Sequence, residues 1–170
     1  MLPVKDNFAI LSAVKPIVRI PQIKKISDNL HQQNKKIVLV GGCFDLVHLG
    51  HLIFLEKAKS IGDILIVLLE SDQTIRRLKG DNRPINSQIN RAKFLTYLKS
   101  VDFVVLLPEL KTNQQYHHLV NQLKPDIIAV TKGDQNLKLK TTIARDINSK
   151  IIVVTKKISQ QSTSSIIKKL

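Results

Sequence analysis

Tryptophan is absent from the 170-residue chain, the aromatic residues are five Phe and two Tyr, and cysteine occurs once, as Cys43. A single thiol cannot close an intramolecular disulfide framework or supply a multi-cysteine zinc site, which suits a reducing, cytoplasmic setting. So few aromatics leave little for the stacking platforms on which single-stranded nucleic acids are bound, and nucleic acid is not the expected partner. Long apolar runs are also missing. Lys5, Asp6, Lys15, Pro16 and Arg19 interrupt the first twenty residues, so neither a signal peptide nor membrane insertion is expected. Negative charge is scarce as well: 27 Lys and Arg stand against 13 Asp and Glu, a net charge of +14. The expected ligands are therefore anions, with phosphorylated small molecules favoured by the low aromatic count.

What is present reads as one soluble domain. Hydrophobic residues make up 43% of the chain and charged ones 24%, enough for a core at this length without staples. Five stretches rich in β-branched residues, 36–40, 64–69, 103–107, 127–131 and 151–155, are apolar almost throughout, the pattern of strands covered on both faces. Helical spacing lies between them, as in Leu52, Leu55 and Ala58 or Tyr116, Leu119, Val120 and Leu123. Regular alternation of strand and helix predicts an α/β fold with a doubly wound, five-stranded parallel sheet and helices on both faces. Ligands then bind beyond the carboxyl ends of the strands. Before the first stretch, Pro21 opens a short amphipathic pattern with Ile23, Ile26 and Leu30 inward. Residues 1–35 are read as an arm and lead-in helix packed on a domain over 36–170.

The most informative stretch is Gly41-Gly42-Cys43-Phe44-Asp45-Leu46-Val47-His48-Leu49-Gly50-His51, directly after the first strand and before a helix. Glycines let backbone approach a phosphate, and a helix start offers unpaired N–H groups and a positive dipole end. Two histidines three residues apart can donate to phosphoryl oxygens in the same space. With no further His or Cys nearby, metal ligation by this pair is not expected.

Gly42-Cys43-Phe44-Asp45 followed by His48-Leu49-Gly50-His51 resembles the signature of the cytidylyltransferase-like nucleotidyltransferases. A second patch, Ser71-Asp72, then Arg77 to Asn86 and Arg91, is similar to the nucleotidyltransferase part of bacterial ADP-heptose synthases, and the likeness continues through 101–105. Ser162-Thr163-Ser164-Ser165-Ile166 resembles the closing motif of that family. Class I aminoacyl-tRNA synthetases share the paired histidines, but their Lys-Met-Ser-Lys-Ser loop is absent. The resemblance spans roughly residues 35–170.

It implies a Rossmann-like fold and nucleotidyl transfer from a nucleoside triphosphate to a phosphorylated acceptor, with pyrophosphate leaving and magnesium carried on the triphosphate. By position in the motifs, His48, His51 and Lys79 would be catalytic. Gly42, Cys43, Phe44, Asp45, Gly50, Asp72, Arg91, Gly133, Asp134, Ser162, Thr163 and Ser164 would bind nucleotide. Arg77 and Lys79 would hold substrate phosphate, and magnesium would lie near Asp45. A homodimer is the expected assembly. ATP with a heptose 1-phosphate is the leading substrate pair. CTP with a polyol phosphate, an FAD-synthase-like adenylyl transfer, and a non-catalytic nucleic-acid-binding module stay open as alternatives. Cys43 stands where many relatives carry Thr, and is read as a small buried hydrophobe rather than a reactive thiol. His31, His117 and His118 are read as surface residues.

Overall fold

The computed structural model describes residues 15–156. Six strands, β1 (Ile17–Arg19), β2 (Ile37–Gly42), β3 (Ile64–Leu69), β4 (Phe103–Leu106), β5 (Ile127–Lys132) and β6 (Lys150–Lys156), form one sheet in the order β1-β4-β3-β2-β5-β6. Every pairing is parallel. Helices α1 (Ile20–Gln32), α2 (Leu49–Lys59), α3 (Asp72–Lys79), α4 (Gln88–Thr96), α5 (Asn113–Leu123) and α6 (Leu137–Asp146) fill the connections.

The all-apolar strands are explained by what covers them. Ile37 and Leu39, with Ile66 and Leu68, point into a core closed by Leu30 of α1, Leu119 and Leu123 of α5 and Ile143 of α6. Their neighbours Val38 and Val40, with Leu65, Val67 and Leu69, point to the opposite core, closed by Phe54 and Leu55 of α2 and Leu95 of α4. Strand alternation thus feeds two cores, so no position on β2 or β3 is left for a polar side chain.

One expectation is corrected: the sheet has six strands rather than five. The extra strand, β1, lies in the segment read as an arm and pairs at the sheet edge with β4 through Ile17, Val18 and Arg19. Only three residues long and ending in a charge, it carries too little periodicity to register as a strand.

At the amino ends of the strands, aspartates hold the first amides. Asp126 accepts from Ile37 N at 2.7 Å, Asp63 from Lys36 N at 2.7 Å, and Asp102 from Leu65 N at 2.7 Å while pairing with Lys59 at 2.6 Å. Side-chain caps start three helices: Ser71 accepts from Thr74 N, Ser87 from Asn90 N and Thr112 from Gln115 N.

At the carboxyl ends the sheet opens. The chain runs from β2 outward through β3 and β4, then returns to the other side of β2 as β5, the reversal at which such sheets form a crevice. β2 pairs with β3 along its whole length to Gly42–Leu69, but with β5 only at Val38–Ile127 and Leu39–Ile128. Beyond Leu39 the two strands part. No helix among the described residues is long and apolar enough to cross a membrane.

Candidate active site

β2 delivers Gly41, Gly42 and Cys43 to the opening, and the chain then turns sharply. Phe44 sits in the left-handed region with φ 45° and its side chain is buried. A Cβ on Gly42 would lie 2.9 Å from Phe44 Cε2, so Gly42 is required by the ring folded beneath it. Phe44 in turn supports His51, with ring centroids 5.0 Å apart. His48 occupies the N-cap position of α2 without capping it through its side chain. Its ring stacks on His51 instead, with centroids 3.8 Å apart and planes 22° from parallel. Gly50 lies between them in the first turn of α2.

The two rings share one protonation logic. Burial lowers the pKa of His48 and brings that of His51 down to about 4; the nearby charges of His48 and Lys79 add to the shift on His51, while a hydrogen bond with the Leu46 backbone opposes it. Both imidazoles are therefore neutral at pH 7, each with one N–H donor and one acceptor nitrogen. Nδ1 of His48 is buried with no hydrogen-bond partner among the described residues. Two neutral donors beside a helix N-terminus form a place where charge developing on phosphoryl oxygens is stabilised without reorganisation.

Three other motif residues are turned toward the chain itself. Asp45 is fully buried and pairs with Arg83, and its second oxygen accepts from Ile85 N at 2.8 Å and Asn86 N at 3.1 Å. Arg91 is fully buried: it donates to Asn86 O at 3.0 Å, to Cys43 O, to Glu70 O at 2.8 Å and to Asp72 Oδ1 at 2.7 Å. Asp45, Asp72 and Arg91, expected to bind nucleotide, are placed here in hydrogen bonds with one another's loops and with the backbone. Asp45 ties the 83–86 loop to the glycine turn, and Arg91, with Asp72, ties that turn to the end of β3. Both oxygens of Asp45, the expected magnesium neighbour, accept hydrogen bonds from the chain in a site closed to solvent. Among the described residues no cluster of three His, Cys, Asp or Glu side chains could hold a metal ion.

On the α5 and α6 side of the same turn lies a cavity of about 300 Å³. Gly41, Gly42 and Cys43 line it from β2, Thr74 and Arg77 from α3. Glu70, Tyr116 and Lys140 complete its polar wall. None of these three is singled out by sequence reasoning. The usable signal for Glu70 was a carboxylate immediately after an unbroken apolar strand, at the end where ligands bind. Tyr116 was hidden in a stripe that reads as helix core, and Lys140 has no local signature.

The remaining expected residues divide. Lys79 ends α3 close enough for its charge to act on both His51 and Cys43. Arg77 lines the cavity while contacting Leu110 O at 3.3 Å and Glu109 at 3.5 Å. Burial pushes the Cys43 thiol up, in keeping with an unreactive side chain. Gly133, at φ 80°, turns the chain out of β5, and Asp134 accepts from Asn136 N and Lys140 Nζ, both at 2.8 Å. Ser162, Thr163 and Ser164 lie outside the described residues. His117 pairs with Asp146 at 3.1 Å, and His118 with Gln122 at 3.1 Å.

A family model described as cytidylyltransferase-like matches residues 39–169. The bifunctional protein HldE of Nitratiruptor sp. is 41% identical over 149 residues, covering 88% of this chain and 30% of that protein. HldE of Campylobacter jejuni is 42% identical over 163 residues, covering 92% of this chain and 34% of its own length. The chain thus spans about a third of the length of these curated relatives. Among solved structures, the lipopolysaccharide core biosynthesis protein of Thermoplasma volcanium superposes with a TM-score of 0.58 and 29% identity, over 72% of this chain and 96% of that one. Pantoate-beta-alanine ligase of Francisella tularensis superposes with a TM-score of 0.64 over 92% of this chain and 73% of that one; at 23% identity the likeness is one of fold.

Proposed function

Since this chain belongs to the cytidylyltransferase-like family, we propose that it transfers AMP from ATP to a sugar phosphate of the heptose 1-phosphate class, releasing pyrophosphate. The observation that carries this reading is the stacked, neutral His48–His51 pair at the N-terminus of α2, set directly after a glycine-ended strand. An oxygen of the acceptor phosphate attacks the α-phosphorus, a new P–O bond forms, and the bond to the bridging oxygen of the leaving pyrophosphate breaks. Nothing in this step requires a nucleophile from the protein. The chain's contribution is to align the two phosphates and to stabilise charge on the crowded phosphorus, which His48 and His51 do by donating N–H groups. Lys79, beside His51, adds a positive charge to the same region. Magnesium, when bound with the triphosphate, neutralises part of its charge. Gly133 and Asp134 follow β5 across the opening from β2, where a base and ribose bridging the two strand ends would lie. The choice of ATP and of a heptose phosphate draws on the likeness of Ser71-Asp72, the stretch Arg77 to Asn86 and Arg91 to the nucleotidyltransferase part of ADP-heptose synthases.

Incubating the chain with magnesium and each of ATP, CTP, GTP and UTP, against D-glycero-D-manno-heptose 1-phosphate and glycerol 3-phosphate, tests the reading through pyrophosphate release. Turnover is expected with ATP and the heptose phosphate. Turnover with CTP and glycerol 3-phosphate alone would replace it with a polyol-phosphate cytidylyltransferase.

A further inference from the structure

Among the described residues, Glu70 is the one acidic side chain lining the cavity beside the glycine turn. Its backbone is pinned on both sides: the amide donates to Gly42 O at 3.1 Å and the carbonyl accepts from Arg91 at 2.8 Å. The side chain therefore leaves a fixed point at the end of β3. Its carboxylate makes no hydrogen bond with any described residue, although Lys140, Arg77 and Arg91 all lie close enough for their charges to act on it. Each of those cations is committed elsewhere: Lys140 to Asp134 at 2.8 Å, Arg77 to Glu109 and Leu110, Arg91 to its four acceptors. Tyr116 contributes a second polar group without a hydrogen-bond partner among the described residues, its hydroxyl 3.4 Å from where a Cβ on Gly41 would stand. Burial, with Glu70 and Asp134 nearby, keeps that phenol protonated and hence a donor.

The chemistry of this wall selects its ligand. A carboxylate offers acceptors only, so a phosphate placed against it is repelled, whereas hydroxyl groups donate to it in charge-assisted hydrogen bonds. Two oxygens on one carboxyl span two neighbouring hydroxyls. A volume of about 300 Å³ is at the lower end of small-molecule sites and holds one sugar.

We propose that Glu70 is the specificity-determining residue for the acceptor: its carboxylate accepts hydrogen bonds from two adjacent hydroxyls of a polyhydroxylated phosphate ester, with Tyr116 Oη as a further contact. The ester's phosphate then points away from Glu70, past Gly42 and Cys43 toward the histidines. This rests on the nucleotidyl-transfer reading for what becomes of the acceptor, and its test is independent of turnover.

Isothermal titration with D-glycero-D-manno-heptose 1-phosphate, without nucleotide, compares the wild-type chain with Glu70→Gln, Glu70→Leu and Tyr116→Phe, and inorganic phosphate and magnesium ATP serve as comparison ligands. Glu70→Gln, which preserves volume and one acceptor, is expected to weaken the sugar phosphate roughly tenfold and Glu70→Leu on the order of a hundredfold, as expected for hydrogen bonds to a charged group. Binding of inorganic phosphate and magnesium ATP is expected to be unchanged. Wild-type affinity for the sugar phosphate in both Glu70 variants, an equal loss for all three ligands, or no binding of the sugar phosphate to the wild-type chain would each overturn the proposal. Glu70-dependent binding without pyrophosphate release from any triphosphate would instead overturn the transfer reading and leave this one standing.

Discussion

Two sets of charged residues sit within a few residues of each other in sequence and serve opposite ends. Around the glycine turn, Asp45, Asp72 and Arg91 are held by partners within the chain, and Arg83 pairs with Asp45 through Nε while its Nη2 has no hydrogen-bond partner among the described residues. Around the cavity, the Glu70 carboxylate and the Tyr116 hydroxyl have no hydrogen-bond partner among the described residues, and across the turn neither has Nδ1 of His48. The first set makes the turn rigid; the second has the donors and acceptors left for a ligand. Burial alone does not separate them, because both are largely buried. What separates them is how much of their hydrogen bonding the described residues meet: most of it in the first set, and none of it for the Glu70 carboxylate and the Tyr116 hydroxyl.

The sharpest way to break this comparison is to exchange the outcomes. His48→Ala and His51→Ala are expected to lower kcat by about 10²–10³ each, the effect of losing one donor to a developing oxyanion, while the melting temperature holds. A variant that unfolds but turns over normally when folded would move the histidines into the rigid set. In stability rather than rate, Arg91→Met is expected to cost about 3–5 kcal/mol, because Asp72 and three carbonyls lose a buried donor together. Urea unfolding reads this directly, and a variant as stable as wild type with weakened nucleotide binding would assign Arg91 to the ligand.

The smallest effect is a pH dependence. His51 titrates near 6.5 when unfolded and at about 4 when folded, so between these values the unfolded chain binds the extra proton and the folded chain does not. Stability contributed by the neutral ring is complete above pH 6.5 and is lost as pH falls toward 4, by about 1–3 kcal/mol. Wild type and His51→Gln should melt together near pH 7 and separate on acidification, with wild type losing the stability that the variant keeps. Parallel curves would sink the assignment.

The same division explains what was legible in the sequence. Apolar strands at regular spacing announced a parallel sheet, since nothing else buries both faces of such segments, and the paired histidines after two glycines marked the turn. β1 was not legible, because three residues at an edge carry no pattern. Asp45, Asp72 and Arg91 were legible as motif residues, but their contacts were not, since sequence spacing does not say whether a carboxylate and a guanidinium in one motif meet each other or a third party. Glu70 and Tyr116 were missed for the converse reason. Their importance lies in what the fold withholds from them, and a missing partner has no local signature.

The early parting of β2 from β5 has a mechanical meaning. Below Leu39 the sheet is one fabric; above it, among the described residues, there are two leaves, β1-β4-β3-β2 and β5-β6, stitched together at the register pairs Val38–Ile127 and Leu39–Ile128 and by the hydrogen bonds of Ile37 with Asp126. The glycine turn crowns one leaf, and Gly133 with Asp134 crowns the other. A molecule long enough to touch both would act as the clasp that the backbone omits, so occupancy itself would stiffen the half of the protein in which the sheet is least continuous.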